Sequence, residues 1–148
     1  MIDNDTLTER FARLFFRVQR LMDRRLTDHG TSLARTKLLI YLDREANARA
    51  CDMATFFSLA PRTITEAVDG LERNGLVERH PDPNDRRAKR IAVTEAGRQA
   101  ITATAPLRTQ IIGQIFGVLS AEERAQFTHI LDKLDSSVTA EEQHETNA

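Results

Sequence analysis

Five basic side chains fall between positions 79 and 90: Arg79, Arg86, Arg87, Lys89 and Arg90, against only Asp82 and Asp85. Cations crowded around one turn repel each other without an anionic partner. A narrow DNA minor groove has enhanced negative potential and attracts inserted arginine. A second set lies upstream: Pro61, Arg62, Thr63, Thr65 and Glu66. If these open a helix, they are of the types that read base edges. Arg62 can donate two bonds to guanine or one to phosphate, and the threonines can contact phosphates or present methyls to thymine. Glu66 can accept from cytosine N4 or pair with Arg62 one turn back.

These side chains need elements to hold them. Leu7, Phe11, Leu14, Val18 and Leu21 recur at steps of four and three, which predicts an amphipathic helix over about 5–27. Gly30 suits a left-handed stop, and Thr31 or Ser32 can cap a second helix to about Arg44. Residues 45–49 read as a loop. Ala50 to Phe57 is a short third helix with no clear capping residue. Pro61 fits the first position of a fourth, with Ile64, Ala67, Val68 and Leu71 inward and Asn74-Gly75 as its stop. Two short helices across such a turn make a helix-turn-helix.

Leu76 to Arg79 and Arg90 to Val93 read as strands, joined by a loop too long and too charged for a tight hairpin. Thr94 can cap a fifth helix to about Leu119, kinked at Pro106. Ser120 and Glu123 form a capping box for a sixth, with Phe127, Ile130, Leu131 and Leu134 inward. The expected fold is mainly α (α+β). A winged helix-turn-helix spans 31–97, between helical dimerisation regions at 1–30 and 98–140, with an acidic flexible tail at 141–148. The terminal helices carry more apolar surface than a small centre can cover, so a second copy of the chain is the expected partner.

Composition narrows the classes. The chain has 148 residues, net charge −1, no Trp and one cysteine. Any nucleic-acid affinity must therefore come from locally concentrated charge. The scarcity of aromatics argues against a stacking platform for single strands. No internal disulfide can form, which suits a reducing cytosol. No secretory signal and no membrane-length apolar run is visible, so a cytoplasmic protein is expected.

Three segments resemble the MarR family of bacterial transcriptional regulators: Leu71-Glu72-Arg73-Asn74-Gly75-Leu76-Val77-Glu78-Arg79, Asp82-Pro83-Asn84-Asp85-Arg86-Arg87-Ala88-Lys89-Arg90 and Thr94-Glu95-Ala96-Gly97. The resemblance implies a homodimer knotted through its terminal helices on an inverted-repeat operator in double-stranded DNA, with the DNA often released by a small molecule or an oxidant; a repressor released by a small-molecule effector is the expected role. It also implies that Arg87, in the Asp85-x-Arg87 spacing, enters the minor groove while Asp85 fixes the loop. Arg86, Lys89 and Arg90 would then meet phosphates or brace the wing.

No resident cofactor is expected. A small aromatic or phenolic ligand is the expected kind of effector, with Phe15, Phe16, Arg17, Tyr41 and His29 as local candidates. Cys51 is expected as a small packed residue. The four histidines lack metal-ligand spacing, and no catalytic motif emerges, so an enzyme is not expected. The alternative is a winged-helix protein-interaction module without DNA binding, because a fold does not dictate its use.

Overall fold

The computed structural model describes residues Met1 to Ala148. It places six helices and one hairpin in the order α1 (Asn4–Thr27), α2 (Leu33–Arg44), α3 (Ala50–Phe57), α4 (Pro61–Arg73), β1 (Val77–Pro81), β2 (Lys89–Val93), α5 (Glu95–Phe116) and α6 (Ala121–Thr146). The chain divides into two compact units, Met1–Thr109 and Gln110–Ala148.

Local chemistry fixes each boundary in the first unit. The Asp3 carboxylate accepts the Thr6 N–H at 2.7 Å and opens α1. Gly30 has φ +82°, the left-handed conformation that glycine adopts without steric cost. Ser32 caps α2 by accepting the Arg35 N–H. The sequence reading found no cap for α3 because the cap works in reverse. Asp52, three residues inside the helix, accepts the backbone N–H of Arg49 at 2.9 Å. Ser58 makes the turn at φ +51°, and Pro61 begins α4.

The core of this unit lies between α2, α3, α4 and the hairpin. Met53, Ile64, Val68 and Leu71 are essentially without solvent contact, and Leu38, Leu39, Leu42, Val77, Ile91 and Val93 close around them. Each side chain of this size contributes roughly 1.5–3 kcal/mol when fully buried. The steps from Ile64 to Val68 to Leu71 seat one face of α4 and therefore decide which face is free.

β1 and β2 are antiparallel, with Val77 opposite Val93, Arg79 opposite Ile91 and Pro81 opposite Lys89. The strands are one or two residues longer at the wing end than the sequence reading placed them. Residues 45–49, read as a plain loop, contribute a third edge: the Ile91 N–H donates to the Ala48 carbonyl at 2.8 Å, and Arg49 bridges Arg90. No periodic signal marks so short an edge.

Thr94 joins several of these parts. Its hydroxyl donates to the Gly75 carbonyl at 2.6 Å and accepts the Gly97 N–H at 3.1 Å. Its own N–H donates to the Leu76 carbonyl at 3.0 Å. The end of α4, the start of the hairpin and the first turn of α5 thus meet at one side chain. The α5 helix continues across Pro106.

In the second unit, Ser120 and Glu123 form the expected capping box at 3.1 and 2.8 Å. The expected tail differs. Instead of ending near Ala140, α6 runs on to Thr146. Glu, Gln and Ala are good helix formers and neither Gly nor Pro interrupts 121–146, so nothing local stops it. Phe127, Ile130, Leu131 and Leu134, expected inward, are exposed in the single chain.

Candidate nucleic-acid interface

The buried face of α4 turns its other face outward. Pro61, Arg62, Thr63, Thr65 and Glu66 are all exposed at the start of this helix. Arg62 Nε donates to Glu66 Oε1 at 3.0 Å, the one-turn pairing foreseen as one option for Glu66. With its side chain 89% exposed, Arg62 keeps its terminal nitrogens free for another acceptor. Thr65 donates its hydroxyl to the Pro61 carbonyl, leaving its methyl as the free end.

Arg79 adds to the positive count of 79–90 but is engaged within the chain: it donates to Glu72 at 2.9 Å and to Asp69 at 2.6 Å. Two carboxylates one turn apart on α4 hold one guanidinium from β1. The side chain is only 22% exposed, so it ties the hairpin to the helix and offers little to a ligand.

The wing loop is built from two short carboxylates. Asp82 accepts the Asn84 N–H at 2.8 Å and Asp85 accepts the Arg87 N–H at 2.9 Å. These are side chain–backbone turns of the kind Asp favours. The Ala88 N–H closes onto the Asp85 carbonyl, and the Asp82 N–H onto the Ala88 carbonyl.

Asp82 is buried beside Arg90, with 3.4 Å between Oδ2 and Nε. That Nε is shielded from solvent and lacks an aligned acceptor, so the contact is an ion pair and not a hydrogen bond. The Asn84 N–H, above all, holds the Asp82 carboxyl below its ordinary value, helped by Arg90 and Arg49 and opposed by burial. Of the two roles open to Arg90, the contacts match bracing.

Three cations remain. Arg86, Arg87 and Lys89 are exposed and none makes an ion pair within the chain. Both nearby acids are engaged inside the loop. His80 lies 2.9 Å from Glu78 and not among the three cations.

A cavity of about 230 Å³ opens elsewhere in the same unit. His29, Thr31, Arg35 and Thr36 supply its polar groups, and Leu39, Leu76 and Ile101 much of its apolar wall. Of the ligand candidates named from sequence, only His29 lines it. Phe15 and Phe16 stack edge-on at 5.8 Å on exposed surface, and Tyr41 packs against Phe56 and Phe57. Arg35 and Thr36 were missed because nothing in α2 sets them apart from ordinary helix positions. Cys51, expected to be packed, is exposed at the start of α3. The α3 core is already filled by Met53 and Ala54. No three His, Cys, Asp or Glu side chains gather as metal ligands. No helix is long and apolar enough to cross a membrane.

Fold and site together define a winged helix-turn-helix with a cationic wing. A family model described as MarR family matches residues 32–89. The HTH-type transcriptional regulator YwhA of Bacillus subtilis (strain 168), itself uncharacterized, is 34% identical over 97 residues, covering 66% of this chain and 70% of the relative. The HTH-type transcriptional repressor MdtR of the same organism is 25% identical over 129 residues, covering 87% and 83%. Among solved structures, S. aureus MepR in its complex with DNA has a TM-score of 0.76 at 23% identity, covering 93% of this chain and 99% of that one. That likeness is one of fold. The chain belongs to the MarR family and is a transcriptional regulator, a non-enzymatic class of protein.

Proposed function

We propose that two copies of this chain bind one DNA duplex as a homodimer and repress transcription from an inverted-repeat operator in the cytoplasm. The observation that carries this reading is the set of three unpaired wing cations, Arg86, Arg87 and Lys89, left free because Asp82 and Asp85 are committed to the loop. Arg87 enters the minor groove, where an arginine gains most from the negative potential. Arg86 and Lys89 meet phosphates. The start of α4 enters the major groove, with Arg62, Thr63 and Thr65 at the base edges. MepR in the similar solved structure is bound to DNA, and MdtR is named a repressor. Two-fold pairing doubles these contacts across half-sites about one helical turn apart.

A small aromatic or phenolic effector in the cavity beside His29 and Arg35 relieves repression by favouring a conformation whose two recognition helices no longer fit successive grooves. An apolar cavity of roughly 150 Å³ already admits a benzene ring, so a single ring with one acidic group suits this volume.

The test is fluorescence anisotropy with an operator duplex drawn from the promoter region beside the gene. Arg87→Ala should weaken binding by about 1–3 kcal/mol, roughly fivefold to 150-fold, with the oligomeric state unchanged. Equal affinity of the two proteins for that duplex would remove the wing from the interface.

A further inference from the structure

The apolar steps of α4 decide which of its side chains reach furthest from the core. Ile64, Val68 and Leu71 are buried. At about 100° per residue, Arg62 and Glu66 lie roughly 180° from the centre of that buried face, with Thr63 and Thr65 to either side of them. They are also the only charged residues between Pro61 and Val68. Both are exposed, and they are joined through Arg62 Nε, which donates to Glu66 Oε1 at 3.0 Å.

Folding does not account for this pair. A cation in the first turn of a helix opposes the macrodipole, and Arg62 follows Pro61 directly at the start of α4. An exposed ion pair contributes little to stability. Nor does the pair draw a polyanion in, since its two charges cancel. What it fixes is the direction of a guanidinium. With Nε taken, the two terminal nitrogens are left, and their paired N–H groups match O6 and N7 of guanine. The carboxylate beside them repels phosphate oxygens, which disfavours a swing of Arg62 to the DNA backbone.

We propose that Glu66 is a specificity-determining residue of this regulator: it holds Arg62 on the edge of one guanine in each half-site and keeps it off the phosphates. This rests on the DNA-binding reading above and divides the work between the two contact regions. Phosphate contacts position a protein on DNA, and base contacts specify the sequence. The wing, with three unpaired cations, supplies attraction that is blind to sequence. The Arg62–Glu66 pair supplies discrimination at no net charge. Without Glu66, Arg62 is free to reach a phosphate, and its charge then serves sequence-independent binding. Loss of Glu66 therefore lowers discrimination while sparing or raising general affinity, whereas loss of a merely structural residue lowers both.

Selection from a random-sequence duplex pool, followed by anisotropy titrations on the enriched duplex and on the unselected pool, tests this. The parent should enrich one guanine at the same place in each half-site, and changing that G·C pair to A·T should cost about fivefold or more in affinity. Glu66→Ala should lose most of that preference while binding the unselected pool at least as tightly as the parent, which also shows that the variant is folded. Arg62→Lys keeps the charge without the planar fork and should lose the preference as well. Adding Glu66→Ala to it should change the preference no further, because the two residues act as one unit. A Glu66→Ala protein that keeps the parent's preference, or that loses affinity for selected and unselected duplex by the same factor, overturns the role of Glu66 and leaves DNA binding standing. So does a parent that binds the pool without enriching a guanine. A parent that binds no duplex overturns the DNA-binding reading itself, and this inference with it.

Discussion

Gly97 sits in the first turn of α5, where a larger residue should raise helix stability. Its surroundings forbid one. A Cβ built on Gly97 would lie 2.2 Å from the Leu76 carbonyl oxygen and 2.6 Å from Val93 Cγ1. Real carbons do not approach that closely, so a displacement on the order of 1 Å is required, at a typical overpacking cost of about 1–3 kcal/mol. The oxygen is not free to move, because it accepts the Thr94 N–H at 3.0 Å. Straining that bond adds about 1 kcal/mol. Against this stands the helix-propensity gain of Ala over Gly, at most about 1 kcal/mol. Gly97→Ala should therefore destabilise the protein by about 1–3 kcal/mol, a fall in Tm of roughly 3–10 °C at this chain length. Gly70→Ala supplies the control. Its nearest new neighbour is Arg73 Nη2 at 3.6 Å, an ordinary contact, so propensity should prevail and stability rise by about 0.5–1 kcal/mol. Thermal unfolding of both variants at one protein concentration decides the matter. If Gly97→Ala melts as high as Gly70→Ala, the close approach of α5 to Leu76 is wrong.

Arg79→Met should cost about 0.5–1.5 kcal/mol, less in high salt, because Asp69 and Glu72 would face each other without their shared cation while remaining partly solvated. Urea unfolding at two ionic strengths measures it, and a salt-independent loss would mean that only packing had changed. The Asp82 carboxyl is held below 3.8 in the folded chain. Its contribution is therefore complete above that value and lost as pH falls through the lower folded value. Asp82→Asn should be less stable than the parent at neutral pH, with the gap closing as pH falls below about 4, and a gap that stays constant into acid would refute the assignment. Lys89→Ala should lower the slope of log affinity against log salt by about 0.9, the share of one phosphate contact, in anisotropy titrations on any duplex.

Much of the scaffold was legible because its signals are local. The 3.6-residue spacing of Ile64, Val68 and Leu71 both predicts α4 and names its buried face. Pro61 and Gly75 mark its ends by constraints belonging to single residues. The parts that stayed hidden depend on partners distant in sequence. Whether Arg79 faces DNA or Asp69 depends on how β1 leaves α4, and no spacing rule encodes that. The same holds for the edge pairing of Ala48 with Ile91, which crosses more than forty residues. The three motif segments were the stronger guide, and contacts explain why they occur together. The Gly75 and Leu76 carbonyls from the first and the Gly97 N–H from the third all bond to Thr94. That cluster ties the end of α4, the start of the hairpin and the first turn of α5 to one side chain.

Charge placement completes the account of how a chain of net charge −1 can present a cationic surface. The acids near the site are not weak spots in that surface. Asp69 and Glu72 hold Arg79, Asp82 holds Arg90, and Asp85 holds the backbone of Arg87. Each gives a carboxylate a structural partner within the chain, and Asp82 is also buried. The guanidinium of Arg87 is thereby left exposed on a loop whose backbone its own motif partner has fixed. A loop ordered before binding loses less conformational entropy on meeting DNA, so the free energy of the contact appears as affinity. Replacing these acids with alanine would raise the nominal positive charge of the wing. It would also release the geometry that aims that charge.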